Sequence, residues 1–253
     1  MKLFYKERIL LIMMVIGLGM MLVFSSGCSE KERDNPLDPG ANLTFTTNVE
    51  DILIENFEYT NSNTPPPSPY LYAHNTMEGW LTPIMGYEGT KSLRFSTGTM
   101  TGHFATVFRS DISFSGEYTI EFFINRATAP TAQNNLSFKL TDASGINVYL
   151  EAGINQDNRF YWSNGTSFGT GVILPHSNWK MIKLRFNTIY KKFSVWYGDP
   201  GNPATVLIND GALTSIPDTV SQFQIESRLI TNGSYTIDFD NLKITKYTKT
   251  VVE

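Results

Sequence analysis

Four acidic residues stand at spacings that put two carboxylates on one strand face, Glu117 with Glu121 and Asp238 with Asp240. Residues two or four apart on a strand point the same way. A carboxylate pair about 5 to 5.5 Å apart across a glycosidic bond is the machinery of retaining sugar hydrolysis. Thr119, however, stands between Glu117 and Glu121 where a middle acid would sit, and both glutamates read as solvent-facing strand residues. Asp238 and Asp240 read as acceptors of backbone hydrogen bonds at a turn or bulge, or as ligands of a structural cation, against a catalytic pair. His74, His103 and His176 are scattered without the spacing of a transition-metal site. Cys28 is the only thiol, and no glycine-rich loop joins a strand to a helix to cradle phosphate. The chain is therefore expected not to be an enzyme.

A second set of residues suits binding. Glu121, Lys139, Tyr149, Tyr161, Arg185 and Trp196 alternate with apolar neighbours, as Tyr149 does between Val148 and Leu150. On a half-buried strand they point outward. Outward rings stack on the C–H faces of sugars while Arg and Glu hydrogen-bond hydroxyls. The same alternation serves sheet packing alone, or a protein-contact surface, and all three readings stand. Trp80 and Trp179 are assigned to the edge of the core.

The elements that must position these groups are short strands. Tyr118, Ile120, Phe122 and Ile124 alternate with Thr119, Glu121 and Phe123; Ile182, Leu184 and Phe186 alternate with Lys183 and Arg185. Similar runs begin with Ile52, Ile54 and Phe57 and end with Tyr235, Ile237 and Phe239, separated by Gly, Asn, Asp and Ser. Repeated period-two runs between turn residues predict an all-β sandwich. In the last strand Leu242 and Ile244 fall on the wrong face for a regular continuation from Phe239. One extra residue restores them, so a β-bulge is expected near Asp240-Asn241.

The ends of the chain set its location. Lys2, Lys6 and Arg8 precede an uncharged run, Ile9 to Phe24, and then Ser25-Ser26-Gly27-Cys28. This is a secretory signal pattern, and its 16 apolar residues fall short of the roughly 20 that span a bilayer. Cys28 after Ser-Ser-Gly resembles the lipidated cysteine of a bacterial lipobox, with Ser25 where that motif more often carries Leu. The resemblance implies cleavage before Cys28, a diacylglyceryl anchor, and residence in the bacterial cell envelope. Ser29 implies the outer membrane if the source is Gram-negative. Removing residues 1–27 leaves 20 − 3 = 17 basic and 24 − 1 = 23 acidic residues, a balance that excludes nucleic acid as a partner. Residues 28–50, with Pro36, Pro39 and Gly40, read as lipidated cysteine and flexible tether, residues 51–247 as one domain, and 248–253 as a tail.

The domain resembles the concanavalin A-like lectin and glucanase superfamily in its laminin-G-like branch. The resemblance is carried by Glu55-Asn56-Phe57-Glu58, Gly89-Thr90-Lys91-Ser92-Leu93-Arg94-Phe95, Tyr118 to Phe123, Asn178 to Leu184, Phe193 to Gly198 and Asp238 to Ile244. It implies a two-sheet antiparallel jelly roll. The glucanases of this superfamily carry Glu-x-Asp-x-x-Glu or Glu-x-Asp-x-Glu, and neither string occurs here. Related jelly rolls pin their first and last strands with calcium, which makes Glu58 and Asp240 candidate ligands, set against acids bonded to turn amides. The expected function is non-catalytic carbohydrate binding by a membrane-anchored lipoprotein. The alternatives are a structural or adhesive envelope protein with a protein partner and, third, a polysaccharide hydrolase or lyase.

Overall fold

The computed structural model describes residues 45–59, 65–74, 78–82, 86–96, 102, 104–126, 134–175, 177–231, 233 and 236–251. The expected signal peptide and Cys28 lie outside the described residues, as do His103 and His176. Asn48–Thr248 form one compact unit, and Met1–Thr47 with Lys249–Glu253 are grouped as another. All regular structure among the described residues is strand.

One sheet of eight strands runs β13 (Asn202–Ala212), β12 (Lys192–Asp199), β11 (Lys180–Asn187), β6 (Glu117–Arg126), β15 (Thr236–Val251), β4 (Ser92–Ser96) and β3 (Glu78–Thr82), with β1 (Phe45–Glu55) also paired to β15. A second sheet of seven runs β10 (Phe168–Ile173), β9 (Arg159–Ser163), β8 (Val148–Ile154), β7 (Asn134–Thr141), β14 (Gln222–Leu229), β5 (Phe104–Arg109) and β2 (Leu71–His74). Neighbours pair antiparallel, as in β11 with β6 and β14 with β7. This is the all-β sandwich that the alternation predicts, in the two-sheet antiparallel form that the resemblance implies.

Every second residue of the central strands enters one core. Ile120, Phe122 and Ile124 of β6, Leu136, Phe138 and Leu140 of β7, and Phe223 and Ile225 of β14 are fully buried. Phe239 stacks on Phe122 at 4.9 Å, Phe122 meets Phe138 across the sandwich at 5.8 Å, and Phe138 meets Phe223 at 5.2 Å. A file of rings thus joins the two sheets, and each ring removes 150 Å² or more from water.

The expected bulge is present. Asp240 faces Phe123 and Lys243 faces Glu121, so Asn241 and Leu242 together oppose Phe122 alone, with Asn241 at φ 53°. The extra residue keeps Leu242 and Ile244 in the core beside Phe239. The first strand differs from expectation. It begins at Phe45, inside the segment read as tether. Ile54 is 68% exposed, and the fully buried Phe57 enters the core beyond the strand end, at φ 55°. The reason is that the chain turns inward at Phe57 rather than continuing the alternation.

Candidate functional site

The six residues read as an outward row do not share a sheet. Lys139, Tyr149 and Tyr161 lie on β7, β8 and β9 of the seven-stranded sheet; Glu121, Arg185 and Trp196 lie on β6, β11 and β12 of the other. Packed sheets stand about 10 Å apart, so the two groups look out from opposite sides of the sandwich. Period-two reading assigns a residue to the outside but not to one of two outsides. Strand order decides that.

On the eight-stranded sheet the outward residues form ion-pair ladders beside a groove lined by Thr119, Lys183, Arg185, Trp196 and Tyr247. Lys183 donates to Glu121 at 2.5 Å, Arg185 Nε to Glu117 at 2.7 Å, and Lys192 pairs with Asp210 at 3.1 Å. The two glutamates at four-residue spacing are thus each held by a cation of β11. Trp196, half-buried, sits between Lys183 and Val206 of the neighbouring strands. The exposed Lys192–Asp210 pair contributes about 0 to 1 kcal/mol, while the Glu117 side chain is only 14% exposed.

The seven-stranded sheet carries a different arrangement. One outward row runs Thr106, Glu226, Ser137, Gly153, Tyr161, and the next runs Phe108, Gln224, Lys139, Glu151, Ser163. Lys139 donates to Glu226 Oε1 at 2.7 Å and stands 3.7 Å from Glu151 Oε1. That Glu151 oxygen accepts from Ser137 Oγ and Tyr161 OH, each at 2.5 Å. Glu226 also meets Thr106 Oγ1 at 3.3 Å and Arg228 Nε at 3.3 Å. These groups are sunk into the sheet: the Lys139, Glu151 and Glu226 side chains are 12 to 18% exposed. Tyr161 points outward as expected but is only 8% exposed. Burial, reinforced by the Glu151 charge, pushes its phenol well above the ordinary value, which keeps it a hydrogen-bond donor. Tyr149 falls at the register shift between β7 and β8, and its half-buried ring packs against the core.

A groove opens beside this network, lined by Phe104, Thr106, Phe108, Gln222, Gln224 and Glu226, with the β7–β8 turn as one wall. Asp142 builds that wall by accepting from Ser144 Oγ, the Ile146 amide and Asn147 Nδ2. Gly145 is required there. Its φ is 73°, and a Cβ would come within 2.3 Å of Gln224 Nε2. Arg228 lies 5.6 Å from the Phe104 ring at the other side. Sequence reasoning missed Glu151, Gln224, Glu226 and Arg228. The signal was available: Gln222 to Leu229 alternates polar and apolar as plainly as the strands that were used.

Glu58 and Asp240, the candidate calcium ligands, serve another purpose. Glu58 Oε1 accepts from the Thr90 and Lys91 amides, each at 2.6 Å, and Asp240 accepts from the amides of Tyr87 at 2.6 Å and Asn241 at 2.8 Å. The two acids clasp residues 86–91, and Tyr87 stacks on the outward ring of Phe123 at 4.0 Å. N–H groups aimed at a carboxylate offer protons where a cation needs lone pairs, and no cluster of three or more His, Cys, Asp or Glu occurs among the described residues. Among the described residues both acids are taken up by backbone amides, the alternative weighed against a cation. Asp238, two residues before Asp240, is fully buried and engaged by Arg94.

The clasp has a pH signature. Burial pushes Asp240 up to about 7, helped by Glu58 and opposed by the amides it accepts. A carboxyl raised in the fold contributes most when protonated: the contribution is full below 3.8 and is lost as pH rises through about 7. Thermal unfolding is therefore expected to show a melting temperature that falls from about pH 5 to about pH 8, with a flatter slope in Asp240→Asn. EDTA is expected to leave both curves in place; a chelator-induced drop would restore the cation reading.

No protein-family model matches the chain, and no curated protein matches it. Solved structures do. The cellulose-induced protein Cip1 superposes with a TM-score of 0.58 at 12% identity, over 76% of this chain and 96% of its own. Lectin II from Ulex europaeus gives 0.54 at 11% identity over 78% and 100%, and it is also solved complexed with galactose. The carbohydrate recognition domain of Emp47p gives 0.51 at 8% identity over 76% and 93%. The chain shares the two-sheet β-sandwich fold of these structures, the fold that the resemblance implies.

Proposed function

We propose that this chain is a non-catalytic carbohydrate-binding lipoprotein of the bacterial cell envelope, lipid-anchored at Cys28, in the outer membrane if the source is Gram-negative. The observation that carries the binding function is the groove on the seven-stranded sheet. It combines two half-buried phenylalanine rings with amide and hydroxyl groups and a carboxylate, Glu226, held by Lys139, the combination that sugars require. Structural neighbours named as a lectin and as a carbohydrate recognition domain support the reading at the level of fold. Lys139 salt-bridges the acids of the network, and a carboxylate held by a cation is a poor proton donor, which argues against hydrolysis. The anchor is supported by the sequence alone.

The test is a polysaccharide and oligosaccharide binding panel with the full chain in detergent. At least one glycan should bind, without release of reducing ends. Gln224→Ala should weaken that binding about tenfold, the worth of one or two hydrogen bonds, while Trp196→Ala on the opposite face should leave it unchanged. A loss on Trp196→Ala with none on Gln224→Ala would move the site to the other sheet.

A protein-contact role has its own observation. Phe168, Val172 and Ile173 of edge strand β10 and Val206 of edge strand β13 are 52 to 77% exposed. Pull-down of a specific envelope partner that survives Gln224→Ala and is lost on Val172→Asp would favour it.

A further inference from the structure

The charges of the groove are internally balanced, and this selects among glycans. Two cations, Lys139 and Arg228, and two carboxylates, Glu151 and Glu226, occupy the middle of the outward face. Both cations are paired, Lys139 the more firmly: at 13% exposed it lies 2.7 Å from Glu226 and 3.7 Å from Glu151, while Arg228, 48% exposed, lies 3.3 Å from Glu226. To pair with a uronate or sulfate, Lys139 would have to leave two carboxylates that are themselves 12 to 18% exposed. Half-buried acids stripped of their cation resist that exchange. The wall of the groove adds another acid, Asp142, whose carboxyl is held below its usual range by the Ser144 hydroxyl first and by Asn147 and the Ile146 amide. Nor does the chain as a whole attract anions, with a net charge of −4.

What the groove does offer suits hydroxyl groups. Glu226 is the acceptor in the groove lining, its orientation set by Lys139 and Thr106, and Glu151, held by Ser137 and Tyr161, adjoins it in the network. A carboxylate pinned in this way can take a vicinal diol on its remaining lone pairs, and the Gln222 and Gln224 amides donate and accept at once. Phe104 and Phe108 supply flat apolar area for a pyranose ring.

We infer that the groove takes uncharged, hydroxyl-rich polysaccharide and discriminates against uronic-acid and sulfated chains, with Glu226 as the residue that sets this preference. The inference rests on the carbohydrate-binding reading above. Glu226 acts as an acceptor for the ligand and as the counter-charge that occupies Lys139 and Arg228.

The experiment is calorimetry of the full chain in detergent with four probes: a neutral β-glucan, a neutral mannan, a polygalacturonate and a sulfated galactan. At least one neutral polymer should bind, with an affinity that changes less than about twofold between about 0.05 and 0.5 M NaCl. The anionic polymers should bind at least about tenfold more weakly. In Glu226→Gln, which frees Arg228 and leaves Lys139 with Glu151 alone, polygalacturonate binding at low salt should rise about tenfold and vanish at high salt. A wild-type preference for an anionic polymer would overturn the inference while leaving carbohydrate binding intact. So would a Glu226→Gln variant with unaltered discrimination. Binding to no polysaccharide of any kind would take the carbohydrate reading down with it.

Discussion

Arg94→Ala is expected to destabilise the domain by about 3 to 5 kcal/mol, the cost of leaving a buried charge without its partner. Arg94 grips Asp238 with both nitrogens, Nε to Oδ1 at 2.7 Å and Nη2 to Oδ2 at 2.9 Å. Asp238 has no exposed surface, while Arg94 keeps 27%. The pair joins β4 to the last strand, next to the clasp that secures residues 86–91. For a domain of this size the loss corresponds to roughly 10 °C in melting temperature. A pH dependence identifies the cause. Burial already pushes the Asp238 carboxyl up, against the pull of Arg94. Without Arg94 it should rise further, and protonation then relieves the strain. The deficit of Arg94→Ala is therefore expected to shrink as pH falls from about 7 to about 4.5. The double variant Arg94→Met, Asp238→Leu should recover most of the loss, because a well-packed apolar pair often equals a buried ion pair. A single-variant cost under about 1 kcal/mol would show that the pair is idle, as exposed pairs often are.

The second large effect is at the other end of the chain. Cys28→Ser is expected to move the protein from the membrane fraction to the soluble or uncleaved pool nearly completely. One acyl chain of myristoyl length holds a protein only reversibly, each buried methylene contributing about 0.8 kcal/mol, and stable anchoring takes two signals. A diacylglyceryl cysteine with an amide-linked acyl group exceeds that threshold, and serine has no thiol to carry the thioether. Mass spectrometry of the wild-type N-terminus should find Cys28 first and lipid-modified. A wild-type Cys28 without lipid, or a retained Met1 in the wild type, would end the lipoprotein proposal and leave the groove untouched.

Particular residues show how far the sequence could be read. Tyr118 to Ile124 and Ile182 to Phe186 announced their strands because burial on one face imposes a period of two, and one broken period, at Leu242, sufficed to locate a bulge. Phe57 misled for the converse reason. It is apolar and near a strand, but a left-handed turn carries it into the core, and backbone torsions leave no mark in hydrophobic alternation. Glu58 and Asp240 were recognised as a related pair, with a cation and turn amides both open as partners, and the fold supplies the amides. An acid on a turn looks the same in sequence whether lone pairs or N–H groups surround it.

The sequence by itself determined the class of fold, the inward set of side chains and the register correction in the last strand, because these follow from local geometry and from excluding water. Which outward residues meet was decided only by tertiary structure. Strand order set Lys139 between Glu151 and Glu226, residues that stand 12 and 87 positions away along the chain. It sent Trp196 and Arg185 to the far side of the sandwich. Hydrogen bonds between strands depend on which strand lies alongside, and the alternation of apolar residues that predicts each strand is silent about its neighbours.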